Sequence, residues 1–156
     1  VTPALNLRSL ADCPGLVTPL AAWHVEAFGA WIPGWTLAEA QAELRTHDHP
    51  DRTPCTWVAW RAEQPVGSIS LLLEDPPAPA ALRPWLASLY VRPEYRRLGV
   101  GQRLHDHCLV EAARRGWLRV HAWAPDPAWY LRRGWQPAGI LPVNGGTATL
   151  LVRGTD

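Results

Sequence analysis

Leu89-Tyr90-Val91-Arg92-Pro93-Glu94-Tyr95-Arg96-Arg97-Leu98-Gly99-Val100-Gly101-Gln102-Arg103-Leu104 runs from a strand into a glycine-opened helix. Leu89 to Val91 is apolar and strand-like, and a short Arg-rich loop follows. Leu104, Cys108 and Ala112 then recur at helical spacing up to Gly116, a natural stop. Gly99 and Gly101 let the backbone approach a ligand without a Cβ in the way. The N–H groups of the helix start converge on any anion placed there, and Arg96 and Arg97 add fixed positive charge. The stretch is therefore an anion cradle. It is not the dinucleotide fingerprint, whose third glycine position holds Leu104. Arg119, Val120 and His121 occupy the region where that fold keeps an acidic ribose partner.

Working outward, Leu5 to Leu10 alternates and reads as a first strand, and Val17 to Thr46 reads as helical with a break near Ile32-Pro33-Gly34. Thr36 with Glu39 makes a capping box for the second half. Thr56–Arg61 and Val66–Leu73 read as a hairpin turning at Ala62 to Pro65. The proline-rich Glu74–Pro84 is a loop, and Trp85–Val91 a buried strand. After the helix from Gly101 to Arg115 come a strand over Trp117–Trp123, a short helix over Asp126–Arg133, and a hairpin over Gln136–Arg153 turning at Asn144-Gly145-Gly146. The order is that of a mixed α/β chain, with no repeat and no linker across 1–156, hence one domain.

Composition excludes several chemistries. All 15 basic residues are Arg, so a Walker-type lysine, a Schiff base and a lysine general base are absent. A net charge of +1 argues against a nucleic-acid binder, and no apolar run is long enough to span a membrane. Three scattered cysteines without a CxxC favour neither a disulfide framework nor a zinc ribbon and fit a reducing cytoplasm. Val1-Thr2-Pro3 lacks the features of a signal peptide, and the missing Met suggests removal of an initiator before Val1.

The cradle resembles the first motif of the GNAT superfamily of N-acetyltransferases, Gln/Arg-x-x-Gly-x-Gly/Ala, here Arg96-Arg97-Leu98-Gly99-Val100-Gly101. A second block at the expected distance, Trp129-Tyr130-Leu131-Arg132-Arg133-Gly134-Trp135, is similar to the aromatic-Tyr block of the same family. The resemblance spans essentially the whole chain. It implies a central mixed, mostly antiparallel sheet flanked by helices and splayed between the fourth and fifth strands. It also implies acetyl-coenzyme A as donor cosubstrate, with no metal, and a primary amine of a small molecule as acceptor, attacking directly in a ternary complex. Acetylation of a peptide or protein amine is the alternative within the class, and a non-catalytic acyl-CoA sensor the alternative outside it.

By the same resemblance, backbone N–H groups of Leu98, Gly99, Val100, Gly101 and Gln102 hold the pyrophosphate beside Arg96 and Arg97. Leu89, Tyr90 and Val91 serve the pantetheine arm, and an N–H near Leu89 or Tyr90 polarises the thioester carbonyl. Tyr130 aligns with the tyrosine that donates to the departing sulfur, unless it only packs against the arm. A phenol near 10 facing a thiol near 8.5 makes hydrogen bonding to the thiolate safer than full proton transfer. The base is open, because Trp85-Leu86-Ala87-Ser88 lacks the carboxylate many relatives carry. Glu74 and Asp75 after the preceding strand, and His24 and Glu26 on the first helix, are the candidates, with a water relay as another route. Trp123 stands where relatives keep an asparagine.

Of the ten tryptophans, Trp57, Trp60, Trp117 and Trp123 fall on strands and read as packing, and Trp129 and Trp135 as walls on the coenzyme side. Trp23, Trp31 and Trp35 surround the helix break and suit either an acceptor wall, Trp31 and Trp35 above all, or the packing of a homodimer. His105-Asp106-His107 sits on a helix, where residues two apart diverge by about 200°, which argues against a shared metal. His47-Asp48-His49 reads as a solvated loop.

Overall fold

The computed structural model describes residues 3–156; Val1 and Thr2, where the reading of a leaderless start falls, lie outside the described residues. The alternating first segment forms β1 (Leu5–Ser9), and Leu10 begins a single-turn helix instead of extending the strand. Helix α1 (Val17–Phe28) buries Val17, Leu20, Ala21 and His24, positions i, i+3, i+4 and i+7 of one face. One 3₁₀ turn at Gly29–Trp31 breaks the helical run, and α2 (Leu37–Arg45) restarts it. The restart carries the expected capping box: Glu39 N–H donates to Thr36 Oγ1 at 3.1 Å and Thr36 N–H to Glu39 Oε2 at 3.3 Å.

Strands β2 (Cys55–Arg61) and β3 (Gln64–Leu72) join through only Ala62 and Glu63. Gln64 and Pro65, read from sequence as turn, already pair with Arg61 and Trp60, and Ala62 supplies the positive φ of 54° that the tight reversal needs. Next come β4 (Trp85–Val91), α3 (Val100–Arg114), β5 (Arg119–Ala124), the single turn α4 (Ala128–Leu131), β6 (Gln136–Val143) and β7 (Gly146–Gly154). They complete a seven-stranded sheet of order β1-β2-β3-β4-β5-β7-β6.

Every neighbouring pair is antiparallel except β4 and β5, which touch in parallel at Trp85 and His121 alone and then part. This opening is the splay the family resemblance implied. Beside it β4 is bulged: Ser68 pairs with Tyr90 and Ser70 with Ala87, so β4 spends three residues where β3 spends two. Ser88 carries φ 52° there.

Alternation along β2 assigns the two faces. Trp57 and Ala59 pack with Leu104, Cys108 and Ala112 of α3, whereas Val58 packs with Leu20, Ala21, Ala40 and Leu44 of α1 and α2. Each fully buried leucine, such as Leu20 or Leu104, contributes roughly 1.5–3 kcal/mol by burial. The helices thus clamp the sheet from both sides, and the opening between β4 and β5 is left between them. Among the described residues no helix is long and apolar enough to cross a membrane.

Candidate active site

Two spaces meet at the opening of the sheet. The outer one is a groove of about 310 Å³ along the end of β4, bounded by Leu89, Tyr90, Val91, Arg96, Gly101 and Trp129, with Tyr130 at its inner end. At its far side α3 begins without a side-chain cap. Its cap residue is Gly99, at φ 84°, and Arg97 at φ 62° is also left-handed. The first intrahelical bond runs from Arg103 N–H to Gly99 carbonyl at 3.1 Å, leaving the N–H groups of Val100, Gly101 and Gln102 without helical acceptors. An anionic ligand is the natural partner for such a start, and the open groove suits an extended arm leading from it. The Gln102 side chain is engaged elsewhere, donating to Asp106 Oδ1 at 2.8 Å and accepting from Arg133 Nε at 2.6 Å, so Gln102 offers its main chain. Arg96 donates from Nε to the Val91 carbonyl at 2.7 Å and lies over the Tyr90 ring, already using one of the backbone groups assigned to the pantetheine arm.

The inner space is a cavity of about 530 Å³ enclosed by α1, the 3₁₀ turn, α2, β4 and β5. Phe28, Trp31, Trp35 and Trp123 line it together with Leu44 and Leu86. The bulge brings Ala87, Ser88 and Leu89 to it in succession, which a regular strand would not do. Phe28, Leu89 and Tyr130 border both spaces, so groove and cavity are continuous across Tyr130.

Four titratable side chains besides Tyr130 line the cavity: Asp75, Glu43, His24 and His47. Burial raises the Asp75 carboxyl from 3.8 to about 7, helped by the nearby charge of Glu43 and opposed by the Trp123 indole. That indole N–H is buried with no acceptor in good geometry among the described residues. Burial also lifts Glu43, which sits at the solvent-exposed mouth. Both histidines are held down at about 4 by burial and are neutral at pH 7. His24 Nε2 bonds Ser68 Oγ at 3.1 Å, and His47 Nδ1 bonds Thr56 Oγ1 at 2.7 Å, which in turn meets Ser70 Oγ at 2.7 Å. No Arg is among the described residues lining the cavity.

Tyr130 is seated by aromatic edges. Trp129 and Trp135 meet it at ring-centroid distances of 5.1 and 5.5 Å, both near perpendicular. Trp135 is itself fixed, its indole donating to His105 Nε2 at 2.9 Å, so His105 carries its proton on Nδ1 and donates to Asp106 at 2.8 Å. Burial, with Cys108 and Asp75 nearby, pushes the phenol above its ordinary value, so it is a neutral O–H donor at any working pH.

Several expectations change. Glu74 turns outward, its carboxylate 2.8 Å from Arg83, and lines neither space, and Glu26 is exposed and likewise outside both. The other two candidates, Asp75 next to Glu74 and His24 two positions before Glu26, are the ones facing inward. Trp31 and Trp35 line the cavity, but Trp23 stacks on Tyr90 at 5.3 Å. Trp123 is a cavity wall as well as a packing residue, and Trp135 backs Tyr130 from the core instead of walling the groove. His47 is buried, not solvated, because Ala40, Leu44 and His47 continue one helical face past the end of α2. That i, i+4, i+7 spacing was the signal for it. His105 and His107 point apart as expected on a helix, one to Trp135 and the other edge-on to Trp57 at 5.1 Å.

A sequence model described as the acetyltransferase (GNAT) family matches residues 18–135. Among solved structures the chain is similar to an aminoglycoside 6'-N-acetyltransferase complexed with coenzyme A, at 17% identity over 97% of each chain and a TM-score of 0.74. It is also similar to Ard1 from Thermoplasma volcanium, at 18% identity over 97% of each chain with a TM-score of 0.74. An N-acetylglutamate synthase from Neisseria gonorrhoeae, complexed with coenzyme A and N-acetyl-glutamate, matches all of this chain over 36% of its own length, at 20% identity and a TM-score of 0.70. No curated protein matches by sequence.

Proposed function

The chain belongs to the acetyltransferase (GNAT) family, and from that premise we propose that it moves an acetyl group from acetyl-CoA to the primary amine of a small molecule in one ternary complex. One observation carries the reading: a groove that leads from the uncapped start of α3 and an inner cavity continuous with it meet at a single neutral tyrosine, with a recessed carboxylate on the cavity side. A donor held in the first and an acceptor in the second would meet at Tyr130.

In this reading the backbone from Leu98 to Gln102 takes the pyrophosphate, with Arg97 beside it. Leu89, Tyr90 and Val91 line the path of the arm. The bulge at Ser88 and Leu89 supports an N–H turned toward the thioester oxygen, where it would stabilise developing negative charge. A primary amine arrives as ammonium, since its pKa lies near 10. Asp75 accepts one proton from it, and the freed lone pair attacks the thioester carbon. The C–N bond forms, the C–S bond breaks, and the thiolate leaves with the bonding pair. Tyr130 donates a hydrogen bond to that sulfur. The nitrogen's second proton passes to the sulfur, giving amide, thiol and a protonated Asp75 that releases its proton to solvent. Asp75 supplants Glu74 and Glu26 as base because it alone of the three faces the cavity, with a pKa suited to base catalysis near neutrality. The three free thiols fit a reducing compartment, and we assign the enzyme to the cytoplasm.

The test is thiol release from acetyl-CoA against a panel of amines, with the amide product identified by mass. Acceptor-dependent release supports the reading. Tight coenzyme A binding without release for any small-molecule or peptide amine would overturn it in favour of a sensor.

A further inference from the structure

The cavity's walls and charges also restrict the acceptor, granted that it is the acceptor side as proposed above. We propose that the acceptor is a compact monoamine, a single ammonium on an apolar ring-sized body, and not a polyamino sugar or a lysine-bearing peptide. Four aromatic side chains, Phe28 at the end of α1, Trp31 and Trp35 from the stretch between α1 and α2, and Trp123 from β5, face one space. Convergence of that kind presents broad apolar faces, which are covered by a ring and left largely bare by a methylene stem. The same faces attract a cation.

Charge sets the number of ammonium groups. Asp75 lies inside and Glu43 at the mouth, while His24 and His47 are neutral and hydrogen-bonded to hydroxyls. The interior therefore offers one anion. An aminoglycoside brings several ammonium groups and many hydroxyls. All beyond the first would find no second carboxylate inside, and an aromatic face repays only part of the cost of burying an unpaired ammonium or hydroxyl. Size agrees, since about 530 Å³ must take the acetyl end of the donor as well as the acceptor, and a ring alone needs about 150 Å³.

The probes are 2-phenylethylamine, kanamycin and a lysine tripeptide blocked at its N-terminus, assayed by acetyl-CoA-dependent thiol release. Calorimetric binding of 2-phenylethylamine and of neutral 2-phenylethanol to wild type, Asp75→Asn and Trp35→Ala accompanies them. We expect kcat/KM for 2-phenylethylamine to exceed the other two by about tenfold or more. Asp75→Asn should weaken the ammonium by about tenfold or more and leave the alcohol unchanged, a hydrogen-bonded charge being lost, whereas Trp35→Ala should weaken both. Preference for kanamycin or the peptide overturns the inference and leaves acetyl transfer intact. Binding with the expected variant pattern but no turnover of any amine upholds the site and overturns acetyl transfer. Failure of wild type to bind 2-phenylethylamine, or equal weakening of amine and alcohol by Asp75→Asn, overturns the inference. Removing a buried charge does not threaten folding, and Glu43→Gln gives an independent check, with a smaller loss expected from a group at the mouth.

Discussion

Asp75→Asn should make the protein more stable and less active, and both changes should follow the same titration. Burial raises the folded carboxyl to about 7 from an ordinary 3.8. The folded state thus binds this proton more tightly than the unfolded state does. Below about pH 4 both states hold it, and wild type pays nothing. As pH climbs from about 4 to 7 the unfolded chain ionises first and wild type loses stability. Above 7 the loss is complete, at roughly 4 kcal/mol as an upper bound and nearer 2 if water in the cavity screens the charge. Asparagine never ionises. The variant's advantage in urea melts should grow between pH 4 and 7 and then level. His24 and His47 titrate in both proteins and cancel in the difference, Tyr130 stays neutral throughout, and Glu43 acts on Asp75 as a like charge that Glu43→Gln would remove.

Activity should move the other way. Wild-type kcat/KM rises with pH to a plateau above about 7 as Asp75 becomes a base. In the variant only free amine reacts, and at pH 7.5 that is about 0.3% of an amine of pKa near 10, so a loss of a few hundredfold is expected. The residual rate should keep climbing with pH in step with free amine. Glu43→Gln should shift the wild-type limb to lower pH. A stability difference flat across pH 4.5–8, or an ascending limb near 7 retained in Asp75→Asn, would refute both the burial of this charge and its role as base.

Tyr130→Phe should lower kcat by ten- to a thousand-fold through loss of a hydrogen bond to a charged sulfur, worth about 1.5–3 kcal/mol or more in a dry site. The donor Kd should hold, because the ring keeps its seat between Trp129 and Trp135; unchanged turnover would remove Tyr130 from the mechanism. Gly67→Ala puts a Cβ 2.6 Å from the Tyr90 carbonyl oxygen, which forces β3 and β4 apart. It should cost about 1–3 kcal/mol in urea melts and weaken coenzyme A binding in calorimetry, by moving the strand that lines the groove. His24 and His47, held at about 4, contribute stability above the ordinary value of 6.5 that is lost as pH falls toward 4. In the Asp75→Asn background, where the opposing carboxyl is gone, the protein should therefore melt progressively earlier from pH 6.5 to 4, by up to roughly 3 kcal/mol per histidine. His24→Gln with His47→Gln should flatten that slope.

Local signals carried most of the fold. The capping box at Thr36, the glycine opening of α3, the stop at Gly116 and the Asn144-Gly145 turn each act over four residues or fewer, so the chain writes them openly. The two-residue turn at Ala62 is hidden in the sequence because proline at 65 reads as a breaker, whereas it sits at the start of β3, next to a bulge, where a missing N–H is tolerated. The splay between β4 and β5 belongs to the pairing of strands remote in sequence, and no periodicity marks it. Family resemblance was the source of that expectation.

The cavity was harder, for a geometric reason. Successive residues leaving a strand face opposite ways, so Glu74 and Asp75 are equivalent in sequence until the loop's path is known. Arg83 then settles the matter by pairing with Glu74 outside. Trp123 reads as packing because a strand tryptophan normally has a neighbouring strand beside it, but β5 departs from β4 after Trp85 and His121 and leaves that side open. The same departure makes room for an acid from the loop. A strand β4 reading Trp85-Leu86-Ala87-Ser88 has no carboxylate to offer the thioester, and its bulge spends the available turn on backbone. A protein base would then have to come from another element lining the cavity, and the residues just after β3 supply Asp75 there. Asp75 is thus the acid on the cavity wall that the proposed mechanism uses to take a proton from an ammonium.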